Sequence, residues 1–326
     1  MSQSLFIELA DSVLRAETEA LTALVAGARR LVALTGAGVS TESGIPDYRD
    51  ERGEWKRSPP LRYQEFVGSD RARRRYWARA MAGFPVVRDA APGRAHRALW
   101  ALEESGRLHH LITQNVDGLH QKAGARKVID LHGRLDRVRC LECGEPVSRD
   151  EVQLRLEDAN PGWLSVSAFA APDGDADLET VDYGRFEVPA CLLCSGLLKP
   201  DVVFFGEPVP RERAGEAFSR VDEADLLLVA GSSLMVWSGY RFVKRARERG
   251  VGVVAVNRGR TRADDELLLK LESDCGAILE RLTRVAASGN PCPPVPRRER
   301  PSTTGSSTLV NHLPESSNVP RGRETA

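Results

Sequence analysis

Short apolar runs alternate with amphipathic stretches from residue 5 to about residue 284. Leu9, Val13, Leu14, Leu21, Leu24 and Val25 recur at helical spacing, which predicts one or two helices over 5–28. Leu31-Val32-Ala33-Leu34 is an unbroken apolar run that ends at Gly36-Ala37-Gly38, the pattern of a buried parallel strand feeding a tight turn. Further strands are predicted at 108–113, 128–131, 202–205, 225–230 and 251–256. Helices are predicted at 71–82, 94–105, 118–123, 211–222, 239–249 and near 275–284. Gly106, Gly124 and Gly250 stand where helices stop. Residues 50–70, with Pro59-Pro60, read as loop and short helix.

Strands alternating with helices predict an α/β fold with a doubly wound, Rossmann-like parallel sheet. Ligands bind such sheets beyond the carboxyl ends of the strands. Polar clusters at 36–49, 114–117, 132–133, 231–233 and 257–259 all follow a strand in this way. The expected organisation is N-terminal helices over 1–30 and a discontinuous sheet domain over 31–137 and 199–285. The sheet domain carries a helical insertion at about 50–92, and a smaller zinc-ribbon and helical domain lies over 138–198. From 286 to 326 there are seven prolines, many serines and threonines, and few large apolar side chains. That stretch cannot bury enough surface to offset its ordering entropy, so a disordered tail is expected, with Cys292 incidental to function.

Lys+Arg and Asp+Glu are both 46 in 326 residues, so net charge gives no reason to expect a nucleic-acid or membrane partner. Arg71, Arg73, Arg74, Arg75 and Arg79 with Tyr76, Trp77 and Met81 read as a helix with a basic solvated face, a nucleic-acid patch being the alternative. No apolar stretch approaches a membrane span, and the acidic N-terminal region is unlike a transit peptide, so a cytoplasmic protein is expected. Only 6 of the basic residues are lysine, an arginine excess that fits a GC-rich bacterial source.

Cysteine spacing adds a metal site. Cys140, Cys143, Cys191 and Cys194 form two C-x-x-C knuckles, and four thiolates satisfy tetrahedral zinc. A redox pair is the alternative, but it needs no second knuckle. Four filled positions leave none open for metal catalysis, so the chemistry lies elsewhere. His132 is the candidate base. It sits at the expected ligand edge beside Gln114-Asn115-Val116-Asp117, and imidazole titrates close to working pH.

Taken together, Gly36-Ala37-Gly38-Val39-Ser40-Thr41-Glu42-Ser43-Gly44-Ile45-Pro46-Asp47-Tyr48-Arg49, Thr113-Gln114-Asn115-Val116-Asp117-Gly118-Leu119-His120, Leu131-His132-Gly133, the knuckles, Lys199–Glu207 and Gly231-Ser232-Ser233 resemble sirtuins, NAD-dependent protein-lysine deacylases. The likeness covers about 25–285. Tyr48, Tyr76-Trp77-Ala78-Arg79, the long insert between the knuckles and Ala171-Pro172-Asp173-Gly174-Asp175 resemble the class II branch that includes a mitochondrial weak deacetylase.

The resemblance implies NAD along Gly36, Ala37, Gly38, Glu42, Pro46, Asp47, Tyr48 and Arg49, with Gly231, Ser232 and Ser233 near its phosphates or ribose. It implies that Asn257, Arg258, Gly259 and Cys275 frame the adenosine half. Gln114, Asn115, Val116 and Asp117, with Ile45 and Asp47, would hold the nicotinamide side. His132, Asn115 and Asp117 would form the catalytic set, and acylated-lysine proteins would be the substrates. Val203, Phe204, Phe205 and Gly206 with Val236 and Gly239 would pin the substrate backbone as an added strand. Many members have Phe where Tyr48 stands; if that ring shields the reactive carbon from water, the added hydroxyl would alter how intermediates partition. Tyr76 and Arg79 resemble a carboxylate receptor for acidic acyl groups, the alternative being a continuation of the basic face. Two other readings stay open: mono-ADP-ribosyl transfer to protein, and a non-catalytic NAD sensor.

Overall fold

The computed structural model describes residues 3–57, 60–163, 168–170, 172–178 and 182–286. The expected tail, beyond its first residue, lies outside them. In chain order the elements are α1 (Gln3–Gly27), β1 (Leu31–Thr35), α2 (Tyr63–Gly68), α3 (Asp70–Asp89), α4 (Arg94–Glu104), β2 (Leu108–Thr113), α5 (Leu119–Lys122) and β3 (Val128–Asp130). Then come β4 (Gly133–Cys140), β5 (Pro146–Ser148), α6 (Arg149–Ala159), β6 (Ala168–Ala170), β7 (Ala176–Leu178) and β8 (Leu198–Val202). The chain returns through α7 (Arg211–Glu223), β9 (Leu226–Ala230), α8 (Trp237–Glu248), β10 (Gly252–Val256), β11 (Leu269–Leu271) and α9 (Cys275–Ala286).

Six strands make one parallel sheet in the order β11-β10-β9-β1-β2-β3. All five residues of β1 and of β9 are buried, as expected for central strands covered on both faces. The period of two sorts their side chains. Leu31, Ala33, Leu226 and Leu228 share a core with Leu99 and Leu102 of α4 and with Ile278 and Leu279 of α9. Val32, Leu34, Leu227 and Val229 pack on Val221 of α7 and on Phe242 and Val243 of α8. Each of the Leu, Val, Ile and Phe side chains among them stabilises the fold by about 1.5–3 kcal/mol relative to exposure.

A second core lies beside the sheet. Phe66 of α2, Trp77 and Met81 of α3, Val152 and Leu156 of α6, and Phe186 join Val138 of β4 and Leu198 of β8. Arg73 and Arg74 on the basic side of α3 are not simply solvated. They donate to the carbonyls of Phe66, Val67, Gly184 and Phe186, closing the segments on either side of the helix.

Of the one or two helices expected over 5–28, the structure forms one, α1. One expectation is corrected. The strand expected at 202–205 instead ends at Val202, and it pairs antiparallel with β4 in a three-stranded sheet β5-β4-β8 outside the parallel one. The cause is local. Glu207 Oε2 accepts the Phe204 N–H at 2.9 Å, and the Glu207 N–H returns to the Phe204 carbonyl, folding the apolar run into a turn at Gly206.

Candidate active site

The site begins where the sheet changes direction. β1 has β2 on one side and β9 on the other, with loops leaving from its carboxyl end. The Gly38 N–H donates to the Gly231 carbonyl at 2.9 Å. A Cβ on Gly38 would stand 2.8 Å from Gly231 Cα, and one on Gly231, at φ +59°, would stand 2.5 Å from the Val39 nitrogen. These two glycines let the loops after β1 and β9 touch, which sequence alone ascribes to approach of a ligand. From the Gln114 side chain, Nε2 bonds to Ser232 Oγ at 2.8 Å and to the Thr35 carbonyl at 3.2 Å, so the loop after β2 joins the same seam.

Asn115 and Asp117 are brought together by Ser40. Asn115 Nδ2 donates to the Gly36 carbonyl and to Ser40 Oγ, each at 3.0 Å. Ser40 Oγ donates to Asp117 Oδ2 at 2.7 Å. His96 completes the set. Its Nδ1 accepts the Gly93 N–H, so its Nε2 carries the proton and points at Ser40 Oγ, 3.4 Å away. Burial lowers the pKa of the His96 ring, which keeps it neutral.

His132 has a fixed tautomer. Nδ1 lies 2.9 Å from the Gln114 carbonyl, which only accepts, so Nδ1 carries the proton. Nε2 is therefore the basic atom, and Ser238 Oγ donates to it at 2.8 Å. Desolvation pushes the imidazole down to about 4. The Gln114 hydrogen bond opposes that shift, and Arg241 and Arg213 add to it. The ring is neutral at ordinary pH and ready to take a proton.

A cavity of about 800 Å³ joins these parts. Gly36, Ala37, Gly38, Asp47, Tyr48, Arg49, Gln114, Asn115, Val116, His132, Gly231, Ser232, Ser233, Asn257 and Arg258 line it, as do Tyr76, Arg79, Val203, Phe204, Phe205, Gly206 and Val236. A much smaller void, about 10 Å³, adjoins Ile45, Pro46, Asn115 and Asp117. Glu42, Gly239, Gly259 and Cys275 do not line the cavity. Glu42 is paired with Arg94. Gly259 packs on the Glu51 backbone and Gly239 on the Gln114 side chain. Cys275 is buried, with Sγ 3.2 Å from the Val256 carbonyl and its thiol pushed up to about 12 by burial.

The loop after β1 is held by its own side chains. The Arg49 guanidinium stacks 3.9 Å from the Trp55 ring, and Lys56 pairs with Asp47 at 2.5 Å. Trp55 also meets Tyr48 and Phe205 edge-on, so it touches both the loop and the segment after β8. On the far wall, Tyr76 packs against Phe66, Trp77 and Phe204, and burial raises its hydroxyl pKa. Arg79 forks onto Asp175, with Nε–Oδ1 at 2.8 Å and Nη2–Oδ2 at 2.7 Å. Ser238, Trp55 and the pairing of Asp175 with Arg79 escape a sequence reading. Ser238 stood inside a run already singled out, whereas Trp55 carried no motif.

Away from the cavity, Cys140, Cys143, Cys191 and Cys194 place their sulfurs within 4.8 Å of one another. Cys140–Cys194 and Cys143–Cys191 are 3.5 Å and 3.7 Å apart. Thiolates about 2.3 Å from a tetrahedral zinc stand about 3.8 Å from each other, so the four residues fit that ion.

The Sir2 family profile matches residues 36–238. The chain belongs to the Sir2 family. A Bordetella bronchiseptica protein named NAD-dependent protein deacetylase is 54% identical over 263 residues, 81% of this chain and 96% of its own. A Bos taurus protein named NAD-dependent protein lipoamidase sirtuin-4, mitochondrial, is 46% identical over 281 residues, 85% of this chain and 89% of its own. The solved structure "Sir2-p53 peptide-NAD+" is 31% identical with a TM-score of 0.66, over 82% of this chain and 97% of that one. The parallel sheet and its flanking helices are thus the Rossmann-like sirtuin fold.

Proposed function

We propose that this chain is an NAD-dependent protein deacetylase, acting on acylated lysines of protein substrates in a bacterial cytoplasm. The observation that carries the reading is His132: its Nε2 is left basic by the Gln114 carbonyl, and its ring lines the 800 Å³ cavity with Asn115 and the glycine seam. Relatives named as deacetylases support the same assignment.

NAD fits the donors present. The cavity is lined by Asn257 and Arg258, by Gly231-Ser232-Ser233 and by Asn115, which offer hydroxyl, amide and backbone polar groups to such a molecule. Bound there, NAD supplies an electrophilic ribose carbon for the acyl oxygen once nicotinamide leaves. The chain's own residues do the rest. Asn115 and Asp117, tied through Ser40, hold the nicotinamide side beside the smaller void. His132 Nε2 takes a proton from a ribose hydroxyl that replaces Ser238 as its partner. Val203–Gly206 and Val236 line the cavity, and a substrate backbone would add to them as a strand. The four cysteines would hold one structural zinc, since four thiolates would leave no ligand position open for catalysis.

The test is nicotinamide release with and without an acetyl-lysine peptide. Release that depends on the peptide and removes its acetyl group supports the reading. Peptide-independent release with ADP-ribose attached to protein supports ADP-ribosyl transfer instead.

A further inference from the structure

We propose that Arg241, which does not line the cavity, is a positioning residue for His132: it holds Ser238 against the basic nitrogen of the ring and places an unpaired positive charge next to that contact. The inference rests on the deacylase reading for its catalytic meaning and on the side chains of α8 for its mechanism.

Three observations carry it. The first is a chain of contacts. Arg241 Nε donates to the Ser238 carbonyl at 3.2 Å. The hydroxyl of the same serine donates to His132 Nε2 at 2.8 Å. Ser238 and His132 both line the cavity and Arg241 does not, so Arg241 reaches the chemistry through its neighbour.

Second, the Arg241 charge is not neutralised. Its guanidinium lies 5.2 Å from the ring centres of Phe218 on α7 and of Phe242 on α8. Nη2 is buried with no hydrogen-bond partner among the described residues. No carboxylate among them acts on the group, whose pKa is lowered by burial alone. A charge withdrawn from water is ordinarily paired. Arg245, four residues on, follows that rule and binds Asp222 at 2.7 Å.

Third, the placement does not serve the helix. Cations are favoured at a helix C-terminus, where α8 carries Arg245 and Arg247. Arg241 stands one turn from the other end, where neither an acidic residue nor a side-chain cap offsets the positive pole. The helix end and the guanidinium therefore act on His132 with the same sign, against a proton on Nε2.

The ring's other neighbours do not cancel that field. Desolvation is the main cause that holds His132 down to about 4, and Arg241 adds to it ahead of Arg213 of α7. Glu207, after β8, is tied to Lys199 at 3.0 Å, and Asp130 of β3 accepts from Gln121 at 2.9 Å. When a ribose hydroxyl takes the place of Ser238 on Nε2, the Arg241 charge stays, and the ring meets its substrate unprotonated.

The experiment compares the full-length protein with Arg241→Lys, Arg241→Gln and Arg241→Met. Lys keeps the charge, Gln keeps a donor for the Ser238 carbonyl without the charge, and Met keeps neither. Each form is followed by NMR titration of the His132 ring and by kcat/KM against pH with NAD and an acetyl-lysine peptide. Arg241→Gln and Arg241→Met are expected to move the ring titration upward by roughly half a pH unit or more, the scale of one partly screened charge, and to carry the acid limb of kcat/KM with it. Arg241→Lys is expected to keep both near wild type. A ring titration left unmoved by Arg241→Gln overturns the proposal. So does an equal upward shift in Arg241→Lys, which would assign the effect to packing. Loss of kcat/KM at every pH with no movement of the limb also overturns it, because a purely structural residue behaves that way. Should no form deacylate any peptide, the deacylase reading fails, and the ring titration alone decides the role of Arg241.

Discussion

His132 owes its chemistry to where its two nitrogens point. The Gln114 carbonyl fixes the proton on Nδ1, and burial keeps Nε2 unprotonated down to about pH 4. Because the ring is the base only when neutral, activity is lost as pH falls through that value. The acid limb of kcat/KM is expected well below the ordinary histidine value of about 6.5. A limb at 6.5 or above would show an unshifted base. His132→Ala is expected to lower kcat/KM ~10²–10⁴-fold while NAD binding, followed by calorimetry, is retained. Undiminished turnover would take His132 out of the mechanism. The structure places the His132 ring in the cavity wall. The candidate base was legible because one motif puts His132 at a strand end. Its partner Ser238 was not, since a serine in the first turn of α8 has no sequence mark until the helix is seen to cross the His132 ring.

At the scale of elements, the apolar runs revealed the inner strands, because a strand buried on both faces has to be continuously apolar. They revealed less where side-chain bonds replaced the ladder. Val202–Phe205 is as apolar as β1, yet Glu207 captures the Phe204 N–H and the strand stops at Val202. The edge strand β11 and the polar strand β4 were missed for the opposite reason, since a half-exposed strand carries charges within its run. The cysteine cluster was legible from its two C-x-x-C spacings, and the pairing of β4 with β8 brings the two knuckles together so that four sulfurs lie within 4.8 Å. They lie next to Val138 of β4 and Leu198 of β8, so losing the metal should loosen the second core. Cys194→Ser is expected to lower bound zinc and melting temperature together, because a structural site contributes folding energy. A metal-free variant with an unchanged melting curve would contradict that.

At the scale of the whole molecule, four histidines among the described residues are held neutral by burial: His132 and His110 are pushed down to about 4, and His96 and His120 also below the ordinary value. Unfolded, each binds a proton near pH 6.5, so between about 6.5 and 4 the unfolded chain carries more protons than the folded one. Stability is therefore expected to fall as pH drops through that window, and melting temperatures at pH 7 and pH 5 check it. A melting temperature that rises on acidification would contradict the burial of these rings. Three of the four sit in or beside the site, at Thr35, Ser40 and Gln114, so the acid sensitivity and the chemistry share one cause. The most direct test of the account is the mass balance of a single reaction mixture of full-length protein, NAD and acyl-lysine peptide. The account predicts nicotinamide and deacylated peptide in equal amounts, with the acyl group recovered on ADP-ribose. NAD consumed while the peptide keeps its acyl mass would contradict it.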